Sequence, residues 1–238
     1  MQKLIFLDTE TTGNDVEKDR LCQVCYKTTD GIHTAYFKPP IPMSVKSMSI
    51  TNITNKMLKD KEPFQGSKMK KDLEERFVDG GMLVAHNANF DCAILEAEGM
   101  SIPRRICTFR VARSLDTEGV IPEYNLQYLR YYLDLDVESA TAHDAEGDVL
   151  VLHALFTRLL DKMVKEGMSE EQAIEKMLDI SSRPVLFRVF NFGKYNGQKI
   201  EDVAKTDKGY LQWLLGQKMA DGAQDEDWIH TLEYFLNK

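Results

Sequence analysis

Lys3-Leu4-Ile5-Phe6-Leu7-Asp8-Thr9-Glu10-Thr11-Thr12-Gly13 is the stretch on which the reading of this chain turns. Residues 3 to 8 predict a short buried strand, because a brief apolar run bounded by a turn signal suits a strand packed on both faces. The strand is expected to end in the Thr-rich turn Thr9 to Gly13. Asp8 and Glu10 are two residues apart at its end, and strand side chains at i and i+2 project from the same face. Both carboxylates can therefore converge on one point. Two acids side by side repel, and a divalent cation is the simplest means of keeping both ionised. Oxygen-only ligation favours a hard ion, Mg²⁺ or Mn²⁺. An Asp-x-Glu that is merely solvated at a strand end would carry the same tripeptide, so the pair alone leaves both readings open.

Working outward, two further strands are predicted at Leu21 to Thr28 and Ile32 to Phe37, joined by the Asp30-Gly31 turn. Pro39, Pro40 and Pro42 mark a loop, and helical patterns follow near Thr54 to Asp60 and Ser67 to Val78, the second stopped by Gly80-Gly81. Met82 to Ala85 reads as a strand leading into a helix that ends at Gly99. Arg105 to Cys107 reads as another strand, followed by helices near Thr108 to Ser114 and Asn125 to Leu133. From His143 a long helix should reach about Lys165, with Val149, Leu152, Leu155, Phe156 and Leu159 as its apolar face. The expected architecture is α/β, a mixed sheet flanked by helices. Beyond Gly167 come an N-capped helix to about Ile180, a break at Arg183-Pro184, a strand-like run from Val185 to Phe192, a Gly193–Gly197 turn, and helices near Lys208 to Lys218 and Asp225 to Leu236. The division expected is 1–164 for the main domain, 165–184 for a helical linker and 185–238 for a small C-terminal module.

The 238 residues are 43% hydrophobic and 29% charged, values that exclude a disordered or fibrous chain. The apolar run before Asp8 is too short for a signal peptide and no run reaches membrane-spanning length, so the expectation is a soluble, cytoplasmic protein with no membrane partner. Cys22 and Cys25 form a lone C-x-x-C, which no second pair completes as a zinc site; with Cys92 and Cys107 they are read as buried, reduced thiols. The formal net charge of −8 argues against a polyanionic partner only until the site carboxylates and their cations are considered, since processing a strand end needs local phosphate contacts rather than a basic surface.

Two further patterns weigh on the Asp-x-Glu pair. Asp91 starts a helix directly after a strand, where sheet carboxyl ends gather sites, and Asp148 lies one turn into the helix that His143 begins. Asp8-Thr9-Glu10-Thr11-Thr12-Gly13, His86-Asn87-Ala88-Asn89-Phe90-Asp91 and His143-Asp144-Ala145-Glu146-Gly147-Asp148 resemble the three motifs of the DEDD superfamily of 3′→5′ exonucleases, and the His-x-Ala-x-x-Asp form of the third is that of its histidine subgroup. Phe192-Gly193-Lys194-Tyr195 and Gly209-Tyr210-Leu211-Gln212-Trp213-Leu214-Leu215 resemble the C-terminal module of exodeoxyribonuclease X-like enzymes, as do Thr54 to Phe64 and Ile106-Cys107-Thr108.

The resemblance implies a ribonuclease H-like fold with a five-stranded mixed sheet and helices on both sides. It also implies two divalent cations held by Asp8, Glu10, Asp91 and Asp148. Asp8 would bridge them, Glu10 and Asp148 would complete one site, Asp91 would hold the second, and His143 would take the proton of the attacking water. The substrate implied is nucleic acid: DNA 3′ ends or single strands, in repair or end trimming, with RNA trimming or polymerase proofreading as alternatives. Thr9, Thr11 and Thr12 offer hydroxyls and N–H groups to a terminal nucleotide, Asn87 and Phe90 flank Asp91, and Thr51-Asn52-Ile53-Thr54 stands where many relatives carry His-Gly-Ile-Thr or His-His-Ile-Thr against the terminal nucleotide. His86 can anchor its turn rather than touch metal. Basic clusters at Lys68, Lys70 and Lys71 and at Arg104, Arg105, Arg110 and Arg113 can track a phosphate strand or form solvated helix faces. In residues 163–238, 10 Lys/Arg stand against 13 Asp/Glu, a net of −3. The C-terminal module is thus read either as a strand-engaging accessory, with Lys194 and Tyr195 on the strand, or as a dock for a protein partner. Tyr210, Trp213 and Leu214 are expected in its core. The oligomeric state is not legible.

Overall fold

The computed structural model describes residues 3–137, 145–220 and 225–238. Their chain order is β1 (Leu4–Thr11), β2 (Leu21–Thr28), β3 (Gly31–Tyr36), α1 (Val45–Thr51), α2 (Asn55–Leu58), α3 (Lys68–Val78), β4 (Met82–Ala85), α4 (Ala88–Ala97), β5 (Arg105–Cys107), α5 (Thr108–Leu115), α6 (Leu126–Tyr132), α7 (Ala145–Lys165), α8 (Glu170–Ser181), α9 (Ile200–Thr206), α10 (Lys208–Ala220) and α11 (Glu226–Asn237). The five strands form one mixed sheet in the order β3-β2-β1-β4-β5, with β1 antiparallel to β2 and parallel to β4.

The apolar run at the start of β1 places that strand in the centre, and its alternation divides the molecule. Ile5 and Leu7 pack into a core with Leu73 and Phe77 of α3 and Ile94 and Leu95 of α4. Phe6, with Leu4 beside it, packs into a second core on the opposite face with Val149, Leu152 and Phe156 of α7. Helices thus cover both faces, as a sheet with buried parallel strands requires. At Gly81 the chain comes so close to the sheet that a Cβ would lie 2.6 Å from the Arg76 carbonyl oxygen and 2.7 Å from Ile5 Cδ1, so only glycine admits the turn from α3 into β4.

The α7 core continues through Ile174, Met177 and Ile180 of α8 to Val185, Phe187 and Phe190, and on to Trp228, Leu232 and Phe235 of α11. Residues 185–192 were expected to be strand-like. They contain only an isolated bridge, Val189 to Lys199; the donors at Val185 and Phe187 are taken by side chains, and Phe190 N–H donates to the Gln198 carbonyl at 2.9 Å. Val185 N–H donates to Asp227 at 3.0 Å and Phe187 N–H to Thr231 at 2.9 Å, both on α11. Two helices escaped the sequence reading. α1 is capped by Ser44 and ends at Asn52 in the left-handed region, hidden behind the prolines, and α9 follows the Gly193–Gly197 turn. β1 also runs on to Thr11, so Thr9, Glu10 and Thr11 are strand residues rather than a turn, with a register irregularity between Glu10 and Thr11.

The four cysteines are free and buried as expected; Cys22 and Cys25 fall in different cores, as an i, i+3 pair on a strand must. Among the described residues no helix is long and apolar enough to cross a membrane.

Phe190 is 1% exposed and touches the rings of Phe192, Tyr195, Tyr210 and Trp228. Phe190→Ala should cost about 3–5 kcal/mol, read as a lower urea midpoint with an unchanged m value.

Candidate active site

Alternation along β1 decides where the acids go. Asp8 and Glu10 follow Leu4 and Phe6 onto the α7 face, and there they meet Asp148 in the first turn of α7. One ligand oxygen from each of Asp8, Glu10 and Asp148 lies within 4.8 Å of the others. All three are half-buried. Gln127 of α6 donates from Nε2 to Asp148 Oδ1 at 2.6 Å and orients that carboxylate, while its own buried Oε1 has no partner among the described residues. Nothing in the sequence marked Gln127, because its role depends on how α6 docks on α7.

Asp91 arrives from the other side. Pairing of β1 with β4 ends at Phe6 opposite Val84, and β4 turns away into α4, leaving the end of β1 without a strand neighbour on that side. Asp91, in the first turn of α4, closes the gap: its Oδ1 accepts from the Thr9 N–H at 3.2 Å and from Thr9 Oγ1 at 2.8 Å. It is not one of the three converging acids. Burial pushes its carboxyl up to about 7 despite the Thr9 hydrogen bonds. Ionising so buried a carboxylate requires a positive charge close by. The set is all oxygen, which fits a hard divalent cation. The acids gather toward the carboxyl ends of the parallel central strands β1 and β4.

The other expected site residues are placed as follows. His143 lies outside the described residues. Thr12 is buried, its hydroxyl donating to Asp19 at 2.7 Å and accepting from the Arg20 N–H. Thr11 donates to the Gly13 carbonyl, and Thr51 to the Ser47 carbonyl at 3.0 Å. Asn87 is exposed in the left-handed region (φ 65°), which asparagine tolerates, and forms the entry to α4. Asn87 and Phe90 line a cavity of about 1340 Å³ that also contains Arg113, Asn191 and Trp228 and so lies between α4, α5 and the C-terminal module. Arg110, read as a possible phosphate contact, is 4% exposed and pairs with Glu226 and, at 3.1 Å, with Asp227, and donates to the Ser181 carbonyl. Asn89 also donates to Glu226 at 3.0 Å. These bonds clamp the start of α11 onto α4 and α5.

His86 is an anchor. Its Nε2 lies 2.7 Å from the Tyr124 carbonyl, which can only accept, so Nε2 carries the proton and Nδ1 is the acceptor facing Thr108 Oγ1 at 2.9 Å. Burial, helped by the nearby Arg113 charge, pulls the imidazole down to about 4.

The family described as Exonuclease matches residues 5–156, and the one described as Exodeoxyribonuclease X-like C-terminal matches residues 190–218. The chain is 35% identical over 182 residues to Exodeoxyribonuclease 10 of Escherichia coli (strain K12), covering 75% of this chain and 74% of that one. It is 35% identical over 173 residues to the DNA polymerase III subunit epsilon of Treponema pallidum (strain Nichols), covering 67% of this chain and 77% of that one. The structure of Exonuclease X in complex with 5′ overhanging duplex DNA superposes with a TM-score of 0.57 and 25% identity, covering 75% of this chain and 99% of that one.

Two measurements follow from the geometry. Gln127→Leu should lower affinity for Mn²⁺ by roughly 10-fold, the usual order for losing a group that orients a ligand, in a calorimetric titration. For His86, an unfolded imidazole titrates near 6.5, so between pH 6.5 and 4 the unfolded state binds a proton that the folded state refuses. The His86 contribution is fully present above pH 6.5 and lost as pH falls toward 4, by up to roughly 3 kcal/mol. Urea unfolding of wild type and His86→Gln at pH 7 and pH 5 should show the smaller loss in the variant.

Proposed function

The chain belongs to the exonuclease family, and on that footing we propose that it removes nucleotides from DNA 3′ ends by hydrolysis, releasing nucleoside 5′-monophosphates. The observation that carries this reading is the convergence of Asp8, Glu10 and Asp148 within 4.8 Å, beside the Thr9–Asp91 bond, in a chain 35% identical to an exodeoxyribonuclease. Asp8, Glu10, Asp91 and Asp148 are the residues that would hold two divalent cations, Mg²⁺ or Mn²⁺. Bound there, such ions activate a water and offset charge on the attacking and leaving oxygens.

The chain's own groups do the rest. His143 takes the proton of the attacking water as general base. Gln127 keeps Asp148 aimed at the cluster, and Thr9 does the same for Asp91. Thr11, Thr12 and Thr51, whose hydroxyls are engaged within the chain, shape the pocket for the terminal nucleotide rather than grip it by hydroxyl. Asn87 and Phe90 meet the strand where it enters the cavity beside α4. In this reading residues 1–164 carry the chemistry, 165–184 connect, and 185–238 are accessory. The cellular role is DNA repair or end trimming in the cytoplasm, which the buried reduced cysteines support. A second reading, proofreading beside a polymerase, draws on the similarity to the epsilon subunit.

The test uses matched DNA and RNA oligonucleotides labelled at the 5′ end, single- and double-stranded, with Mg²⁺ and with EDTA. DNA should shorten stepwise from its 3′ end with Mg²⁺ and stay intact with EDTA; no shortening of any substrate would sink the reading, and faster loss of RNA would redirect it. Asp8→Ala and Asp148→Ala should abolish cleavage, and His143→Ala should slow single-turnover cleavage by roughly 100-fold or more while still binding Mn²⁺.

A further inference from the structure

Trp213 stands on the outside of α10, 57% exposed, whereas the chain's other tryptophan, Trp228, is 5% exposed in the core. The sequence reading put Tyr210, Trp213 and Leu214 together in the core; the structure buries Leu214, half-buries Tyr210 and leaves the indole in solvent. On a helix the residues four before and three after share its side. Here both are glycines, Gly209 and Gly216. A Cβ at Gly216 would meet nothing within 4 Å, and one at Gly209 only Asp207 Oδ1 at 3.7 Å. Packing within the chain therefore demands neither glycine, although glycine weakens a helix. Their effect is to leave the indole exposed apart from its contact with the Tyr210 ring.

The indole belongs to a larger array. The Tyr210 ring lies 5.5 Å from it at 34°, the Tyr195 ring lies 4.9 Å from Tyr210, and the Lys194 ammonium sits 4.7 Å from the centre of Tyr195 and 5.0 Å from that of Tyr210. Asp207 fixes both Lys194, at 2.9 Å, and the Tyr195 hydroxyl, at 2.6 Å. Lys199 and Lys208 nearby in sequence are exposed and form no ion pair among the described residues. Three residues before Lys194, Asn191 lines the cavity that Asn87 and Phe90 also line, so the array follows closely in sequence on a wall of that cavity.

We propose that Trp213, Tyr210 and Lys194 form a stacking platform for single-stranded DNA, holding the strand upstream of the 3′ end being trimmed. An open indole face beside a fixed ammonium and two further exposed lysines suits unpaired bases and their phosphates. The other exposed positions along α10 include Lys208, Gln212 and Gln217 beside Met219, a mostly polar surround that suits a solvated, charged strand. The proposal takes its substrate from the exonuclease reading, yet its test does not require cleavage.

Tryptophan emission of the full chain is followed in EDTA as an oligothymidylate of roughly 20 nucleotides is added, with binding measured separately by polarisation of a labelled strand. The wild type should be quenched, Trp213→Phe should bind without quenching, and Trp213→Ala should bind roughly 5- to 100-fold more weakly, the range for one stacked base. With Mg²⁺, Trp213→Ala should lower kcat/KM on the long strand more than on a dinucleotide. Binding without quenching in the wild type, with unchanged affinity in Trp213→Ala, would overturn the platform even if DNA is cut normally. Quenching by oligouridylate but not by oligothymidylate would overturn the assignment to DNA, and quenching by neither would leave the face to a protein and overturn it as well. A wild type that is quenched but cuts nothing would sink the exonuclease reading and leave the platform standing.

Discussion

The two-residue alternation of a single strand governs this molecule. β1 sends Leu4, Phe6, Asp8 and Glu10 to one side and Ile5, Leu7 and Thr9 to the other. Its first half is therefore the seam between two cores, and its second half is a divider between two sets of acids. On one side three carboxylates face one another; on the other a threonine receives the fourth. A slip of one residue in the pairing with β2 would exchange these sides and undo core and site together, which ties the register to the chemistry.

The two sides are also held differently. Asp148 is positioned through α7 and the Gln127 amide, and so by the packing of helix on helix. Asp91 is held directly by the backbone of the central strand, because β4 diverges and leaves a strand end that its carboxylate can occupy. His86 secures the start of the same turn through the Tyr124 carbonyl, and its neutrality follows from burial. The site is a junction at which one strand, two helix starts and a loop meet.

Most of this was legible where cause and effect are close in sequence. The strand of four apolar residues, the caps at Ser67 and Asn125 and the Ser169–Gln172 capping box declare themselves within a few positions. The three acidic motifs were legible as motifs, and the structure brings Asp8, Glu10 and Asp148 together. What stayed hidden depends on distant partners. Arg110 resembles a surface cation until residues 116 and 117 positions later neutralise it. Val185 to Phe192 has a strand's composition, but its donors at Val185 and Phe187 are claimed by α11. Trp213 has a core residue's spacing, and only the placement of α10 shows that its side faces out. Periodicity reports that a side chain shares a face with others, not whether that face is covered.

The clamp between Arg110 and α11 has a consequence for synthesis. A chain leaves the ribosome from its amino end and its domains tend to fold in that order. Here α5 is complete long before Glu226 and Asp227 exist, so its arginine must wait, still hydrated, for partners translated 116 and 117 positions later. The same late segment delivers Trp228, Leu232 and Phe235 to the larger core. The sheet and its acids can assemble early, but the packing around α5 closes only once α11 has been made.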